Sequence, residues 1–213
     1  MRARKPEAKA ERRDHLLQTA RAMLDEGVGL PELSLNELAR RADMTKSNVY
    51  RYFESREAVL LALLVEEWTT WLGALRAEEP ASTHVDDLMR ALARSLVARP
   101  RLCLLTSVLP SVLELNLSEG AIRAFKLLTL AFFTELAELL TRRAPALNLE
   151  GALRVLGDLI ALIVGLYPIT HPPDAVKRAM DHPLLCGRTP DFAAELERML
   201  VALGRDAARE ASG

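Results

Sequence analysis

Apolar residues recur along most of the chain at spacings of three and four, and no segment alternates apolar with polar over a strand's length. That is the helical period, so the sequence predicts an all-α fold. Helices are expected over residues 8–26, 34–43, 45–53, 56–77, 83–98, 100–115, 118–143, 149–169, 173–181 and 190–204. The breaks between them carry Gly27, Asp43, Pro80, Arg99-Pro100, Asn116, Ala144-Pro145, the His171-Pro172-Pro173 turn and Cys186-Gly187. Thr189 before Pro190 reads as a helix cap followed by proline at the first helical position. There is no internal repeat and no low-complexity run.

The densest local information lies in SLNELARRADMTKSNVYRYFESR, residues 34–56. Ser34 and Glu37 have the spacing of a capping box, in which each side chain takes the other residue's free backbone N–H. Leu35, Leu38, Ala39 and Ala42 form an apolar stripe, and Asp43 stands where a sharp turn needs a left-handed residue. Thr45 caps a second helix of about eight residues. At about 100° per residue, Val49 and Phe53 share one face with Tyr52 beside them, while Ser47 and Arg51 point away, flanked by Lys46, Asn48 and Tyr50. This is a helix-turn-helix whose outward face only donates or accepts hydrogen bonds. Arginine matches guanine and asparagine matches adenine in the major groove. Ser34, Asn36, Thr45, Lys46, Ser47, Tyr50, Tyr52 and Arg56 complete the candidate DNA-contacting set with Asn48 and Arg51, the hydroxyls and cations being suited to phosphates.

The segment TKSNVYRYFESREAVLLALL resembles the end of the DNA-binding domain in the tetracycline-repressor-like (TetR) family of bacterial transcription regulators. The match rests on a Thr-Lys start, an aliphatic residue, Tyr-x-Tyr-Phe, and then a serine, a basic residue and Glu-Ala in register, and the resemblance spans roughly Arg12 to Leu64. Asp43 replaces the usual glycine of the turn, and the loop GVGLPEL is longer than is typical. The resemblance implies a three-helix head, a larger helical domain with a small-molecule pocket, and a dimer made by the last long helices.

Charge fits a split chain better than its net value of −1 suggests. Residues 1–56 hold 12 Lys/Arg against 9 Asp/Glu, and residues 57–213 hold 16 against 20. Ser55 caps the fourth helix, and the boundary is expected there, with 1–55 a DNA-binding head and 56–213 a regulatory and dimerisation domain. Residues 1–11 read as a flexible basic arm. The fourth helix, over 30 Å long at about 1.5 Å per residue, links the two parts.

Helices 149–169 and 190–204 are apolar on more than one face, which points to contact with a second copy. A dimer also places two recognition helices on half-sites of a palindromic operator about 34 Å apart. For an effector, the candidate lining is Trp68, Trp71, Met89, Cys103, Asn116, Phe125, Leu128, Thr129, Phe132 and Tyr167, with Phe133 nearby, and it favours a mostly apolar molecule. The two cysteines read as buried thiols, the start lacks an apolar leader, and the longest charge-free apolar run, LIALIVGLYPIT, is too short to span a membrane. These place the protein in the cytoplasm, away from membranes. No phosphate-cradling loop, nucleophile elbow or metal-ligand spacing occurs, so neither catalysis nor a cofactor or metal is expected.

The expected function is a dimeric transcription regulator, a repressor released by its effector. The alternative is a small-molecule-binding protein or enzyme that uses the C-terminal cavity.

Overall fold

A computed structural model describes residues 4–79, 81–113 and 117–211, with side chains from residue 7 onward. Its described residues form helices α1 (Arg4–Asp25), α2 (Leu35–Arg41), α3 (Lys46–Val49), α4 (Arg56–Ala77), α5 (Val85–Val97), α6 (Pro100–Ser107), α7 (Glu119–Arg143), α8 (Leu149–Thr170), α9 (Asp174–Met180) and α10 (Phe192–Glu210). A single π-helical turn, Leu109–Leu113, follows α6. No strand occurs among the described residues, so the fold is all-α.

The chain divides into two compact units. One holds residues 1–67 with 109–122, and the other holds 68–108 with 123–213. The division falls inside α4 and near the start of α7, so each of those helices gives part of its length to either unit.

In the first unit, Leu16, Leu17, Ala20 and Met23 of α1 are buried with Leu38 and Ala39 of α2 and with Val49. Gly27, at φ 86°, closes α1. Its N–H donates to Leu24 and that of Val28 to Met23, the pair of bonds that ends a helix at a left-handed residue. Arg21 pairs with Glu66. The segment 109–122 belongs here, and Ser118 donates both its N–H and its hydroxyl to Glu54 Oε1 at 3.2 and 3.3 Å.

In the second unit, Trp68 stacks on Phe125 and Phe132 with ring centroids 5.6 and 5.2 Å apart, and Phe133 meets both Trp68 and Phe132 edge-on. The Trp71 indole N–H donates to Ser95 Oγ at 2.9 Å, which lets a polar atom sit inside this apolar core. Helix α10 packs against α5 and α8. Gly204 marks the tightest approach: a Cβ there would lie 2.5 Å from Met89 Cγ and 2.9 Å from Val85 Cγ1.

Several elements differ from the sequence reading, each for a local reason. Helix α1 begins at Arg4, so it takes in residues 4–11 of the stretch read as a flexible basic arm. The helix expected over 100–115 stops at Ser107, because Pro110 has no N–H for the Thr106 carbonyl and its ring crowds that turn. Gly204, the expected end of the last helix, lies inside α10, which continues to Glu210. The cap of that helix is Asp191, whose carboxylate accepts the Ala194 N–H at 2.7 Å, and not Thr189. Of the two cysteines, Cys103 is buried as expected but Cys186 is exposed. Helices α4 and α8 are, by length and composition, apolar enough to cross a membrane. Counting unbroken charge-free runs missed this, because paired charges such as Glu66-Glu67 break a run without making the helix polar. Half of the apolar window of α4 is buried within the fold, but only a third of that of α8.

Candidate nucleic-acid interface

Two caps and one turn set the recognition segment. Ser34 accepts the Glu37 N–H at 3.2 Å and starts α2. The return half of the capping box does not form. The Ser34 N–H goes to the Glu32 carbonyl, and the Glu37 carboxylate instead takes Arg40 (2.9 and 2.6 Å) and Arg41 (2.9 Å). Those two guanidiniums hold the Glu37 carboxyl down to about 2. Glu26 is the further partner of Arg41.

At the end of α2, Asp43 has φ 52°, the one positive value outside glycine among the described residues. The Met44 N–H then reaches back to Ala39 O at 2.9 Å, the six-to-one bond of a left-handed helix stop. The short acidic side chain does here what glycine does elsewhere, at some conformational cost. His15 Nε2 donates to the Ala42 carbonyl at 3.1 Å and ties α1 to the same turn.

Thr45 caps α3 by accepting the Asn48 N–H at 3.4 Å. The α-helix is shorter than the eight residues expected. It holds only Lys46–Val49, after which Arg51 and Tyr52 donate to carbonyls three residues back at 3.1 and 2.9 Å. This tightening is the 3₁₀-like close common at helix ends. It leaves the predicted two-sided character intact. Val49 and Phe53 are buried, while Thr45, Lys46, Ser47, Tyr50 and Arg51 are exposed and Asn48 and Tyr52 half-buried. Lys46 Nζ sits 5.8 Å from the Tyr50 ring centroid, and Arg13 of α1 lies 5.1 Å over Phe53. Tyr50 is 49% exposed, a large ring on the surface with Lys46 beside it.

Asn36 is exposed on α2 and Ser34 is half-buried at its cap. Arg56 is placed differently from the others. Its guanidinium donates to the Leu30 and Pro31 carbonyls at 3.4 Å and to Glu57 Oε1 at 2.9 and 3.1 Å. It fastens the 29–31 loop to the first turn of α4, and sequence pattern gave no sign of those carbonyl partners. Ser55 caps α4 by accepting the Ala58 N–H at 3.1 Å.

The effector candidates that fall among the described residues have the following surroundings. Trp68, Trp71, Phe125 and Phe132 are packed against each other. Met89 lies against Gly204. Cys103 donates to Leu96 O, and the Tyr167 hydroxyl donates to Pro100 O at 3.0 Å. Burial pushes both the Cys103 thiol and the Tyr167 phenol up to about 12. Leu128 is exposed, and Asn116 lies outside the described residues. An open apolar groove of about 340 Å³ runs between α7 and α8, with the candidates Thr129 and Phe133 on its wall beside Leu130, Leu153, Leu156, Gly157 and Ile160, and with Lys126 at its side. A residue that the sequence did not single out is Thr106. Its hydroxyl is buried without a hydrogen-bond partner, one turn after Cys103. No sequence signal distinguishes such a threonine from one bonded to its own helix.

Comparison with known proteins agrees with this architecture. Residues 16–63 match the model of bacterial regulatory proteins of the tetR family, and residues 65–205 match the tetracyclin repressor-like C-terminal domain. No curated protein matches the sequence. The fold is similar to that of the fatty acid degradation regulator FadR from Bacillus halodurans, at 18% identity, 90% coverage of this chain, 93% of that one and a TM-score of 0.55. A TetR family transcriptional regulator from Chloroflexus aurantiacus J-10-FL aligns at 21% identity over 95% and 94% of the two chains, with a TM-score of 0.44. With a helix-turn-helix in the span of the first family match and a helical domain in the span of the second, the chain belongs to the TetR family of bacterial transcription regulators.

Proposed function

We propose that the protein is a homodimeric repressor that binds a palindromic operator and is released from it by a small, mostly apolar effector. The observation that carries the DNA half is the recognition segment. Val49 and Phe53 anchor it from below, and every group on its outer face can hydrogen-bond. In this reading Asn48 and Arg51 meet base edges. Lys46, Ser47 and Tyr50 meet phosphates, with Ser34, Asn36, Thr45 and Tyr52 at the margins. Arg56 reaches a phosphate only by giving up bonds to Leu30 and Pro31, so its larger part is to hold the loop. Two such heads, related by a twofold axis through α8 and α10, occupy successive major grooves about 34 Å apart. The protein then works in the cytoplasm, where its operator is.

The effector acts on the helical unit. Support comes from the buried, unpartnered Thr106 hydroxyl one turn after Cys103, since a buried hydroxyl without a partner costs about 1–3 kcal/mol until one is supplied. A ligand with one polar atom in an apolar body satisfies it. Helix α4 is uninterrupted over 22 residues and serves both units, so a change in its tilt alters head spacing and lowers operator affinity. By linkage the operator weakens effector binding by the same factor.

The test is binding to DNA from the region upstream of the protein's own gene, followed through a salt series. Saturable binding to one inverted repeat, steeply weakened by salt, is expected. Equal weak binding to all DNA rejects the operator reading. Thr106→Val should leave operator affinity unchanged and reduce the effector response. An unchanged response removes Thr106 from the site.

A further inference from the structure

The turn between α2 and α3 carries a carboxylate that the fold does not use. Asp43 holds φ 52°, a conformation that glycine adopts freely and aspartate only at a cost. The turn itself is closed by backbone, since the Met44 N–H donates to Ala39 O at 2.9 Å. Ala42 before it is buried and Met44 after it half-buried, whereas Asp43 is exposed, so its side chain points out of the head. No hydrogen bond or ion pair of that side chain occurs among the described residues. The charged residues of α2 differ: Glu37 pairs with Arg40 and Arg41, and Arg41 also with Glu26. An unpaired negative charge beside a polyanion weakens binding, and a left-handed aspartate weakens the turn. A residue with both costs and no partner in the subunit has its use outside it.

We propose that Asp43 is a specificity-determining residue that accepts a hydrogen bond from a cytosine N4 amino group in the major groove. The inference rests on the operator-binding reading above and adds a third base reader to Asn48 and Arg51. Asp43 stands two residues before Thr45, the cap of α3, and the N-terminal end of a recognition helix is the part that meets base edges. The exposed run continues through Thr45, Lys46 and Ser47, so Asp43 extends the outward face across the turn. A carboxylate only accepts hydrogen bonds. Phosphate oxygens, guanine O6 and N7, and thymine O4 are acceptors too, and all of them repel it. Adenine sets its amino group beside the N7 acceptor, an arrangement that suits an amide better than a carboxylate. Cytosine is the base whose major-groove edge offers a donor alone. Asp43 therefore acts in two directions, by attraction to one base and by repulsion from the others. Glycine at the same φ would supply the turn and neither of these.

The experiment selects bound duplexes from a pool of random double-stranded DNA, each long enough to hold two half-sites about 34 Å apart. It uses the full-length protein and its Asp43→Gly and Asp43→Asn variants. Both variants tolerate the left-handed turn, and a denaturant titration should find Asp43→Gly at least as stable as the parent. The parent should select cytosine about tenfold over other bases at one position of each half-site, next to those set by Asn48 and Arg51. Both variants should lose that preference and keep the rest of the selected sequence. They should also bind the unselected pool more tightly than the parent, because a negative charge is gone. Identical preferences at every position in all three proteins overturn the assignment and leave the operator reading standing. A uniform gain in affinity with no change at any position makes Asp43 a general brake on DNA binding and overturns the base contact as well. A parent that selects no sequence overturns both readings.

Discussion

The outer face of the recognition segment and the outer face of α8 are both surfaces that the subunit alone does not explain, and they are built in opposite ways. The first is short, polar and held by local bonds: the caps at Ser34 and Thr45, the left-handed Asp43, and two side chains, Val49 and Phe53, beneath it. The second is long and apolar, and its most informative residues are glycines with empty space above them. A surface that reads nucleic acid needs hydrogen-bonding groups at fixed angles, which caps and tight turns provide. On the proposed dimeric reading, a surface that meets its own copy needs shape and a symmetric pattern, and a regular helix supplies both.

Ionic strength should separate the two most widely. With about six phosphate contacts, operator affinity should fall about 10³-fold between 50 and 200 mM salt. On the proposed dimeric reading, association through the mostly apolar outer face of α8 should change little over the same range. If sedimentation and DNA titration weaken in parallel, the comparison breaks. Next in size, Phe53→Ala removes the floor of the recognition segment and should cost about 3–5 kcal/mol of the head's stability in a denaturant titration. The aromatic core around Trp68 should keep its own fluorescence transition. Arg51→Ala should cost about 1–3 kcal/mol of operator binding, confined to one base-pair position when operator variants are compared. A loss equal on all sequences would make Arg51 a phosphate contact. Thr45→Ala should lower stability by about 1 kcal/mol, because the Asn48 N–H loses its cap.

The smallest effect is expected from acid. Glu37 titrates at about 2 in the folded chain because Arg40 and Arg41 hold its charged form, whereas an unperturbed glutamate titrates near about 4.3. Its contribution is therefore complete above that unfolded value and is lost as pH falls toward 2. Glu37→Gln should flatten the acid side of the stability profile and leave neutral pH nearly unchanged, since the pair is exposed.

The sequence by itself determined the helical fold, the caps at Ser34, Thr45 and Ser55, the positive φ at Asp43, and the division of α3 into a buried and an outward face. These are properties of three- and four-residue spacing and of backbone groups that must find partners nearby, so they are visible in the order of residues. Only the tertiary structure decided the rest. It gave Glu37 to Arg40 and Arg41, tied Arg56 to the loop at Leu30 and Pro31, and packed the aromatic effector candidates into a core of their own. It made one glycine of α10 a point of close packing and left two of α8 with empty space. Glycine in a sequence says that a side chain is missing. What comes near the vacant position depends on residues far away in the chain or in a second copy, and no local pattern records them.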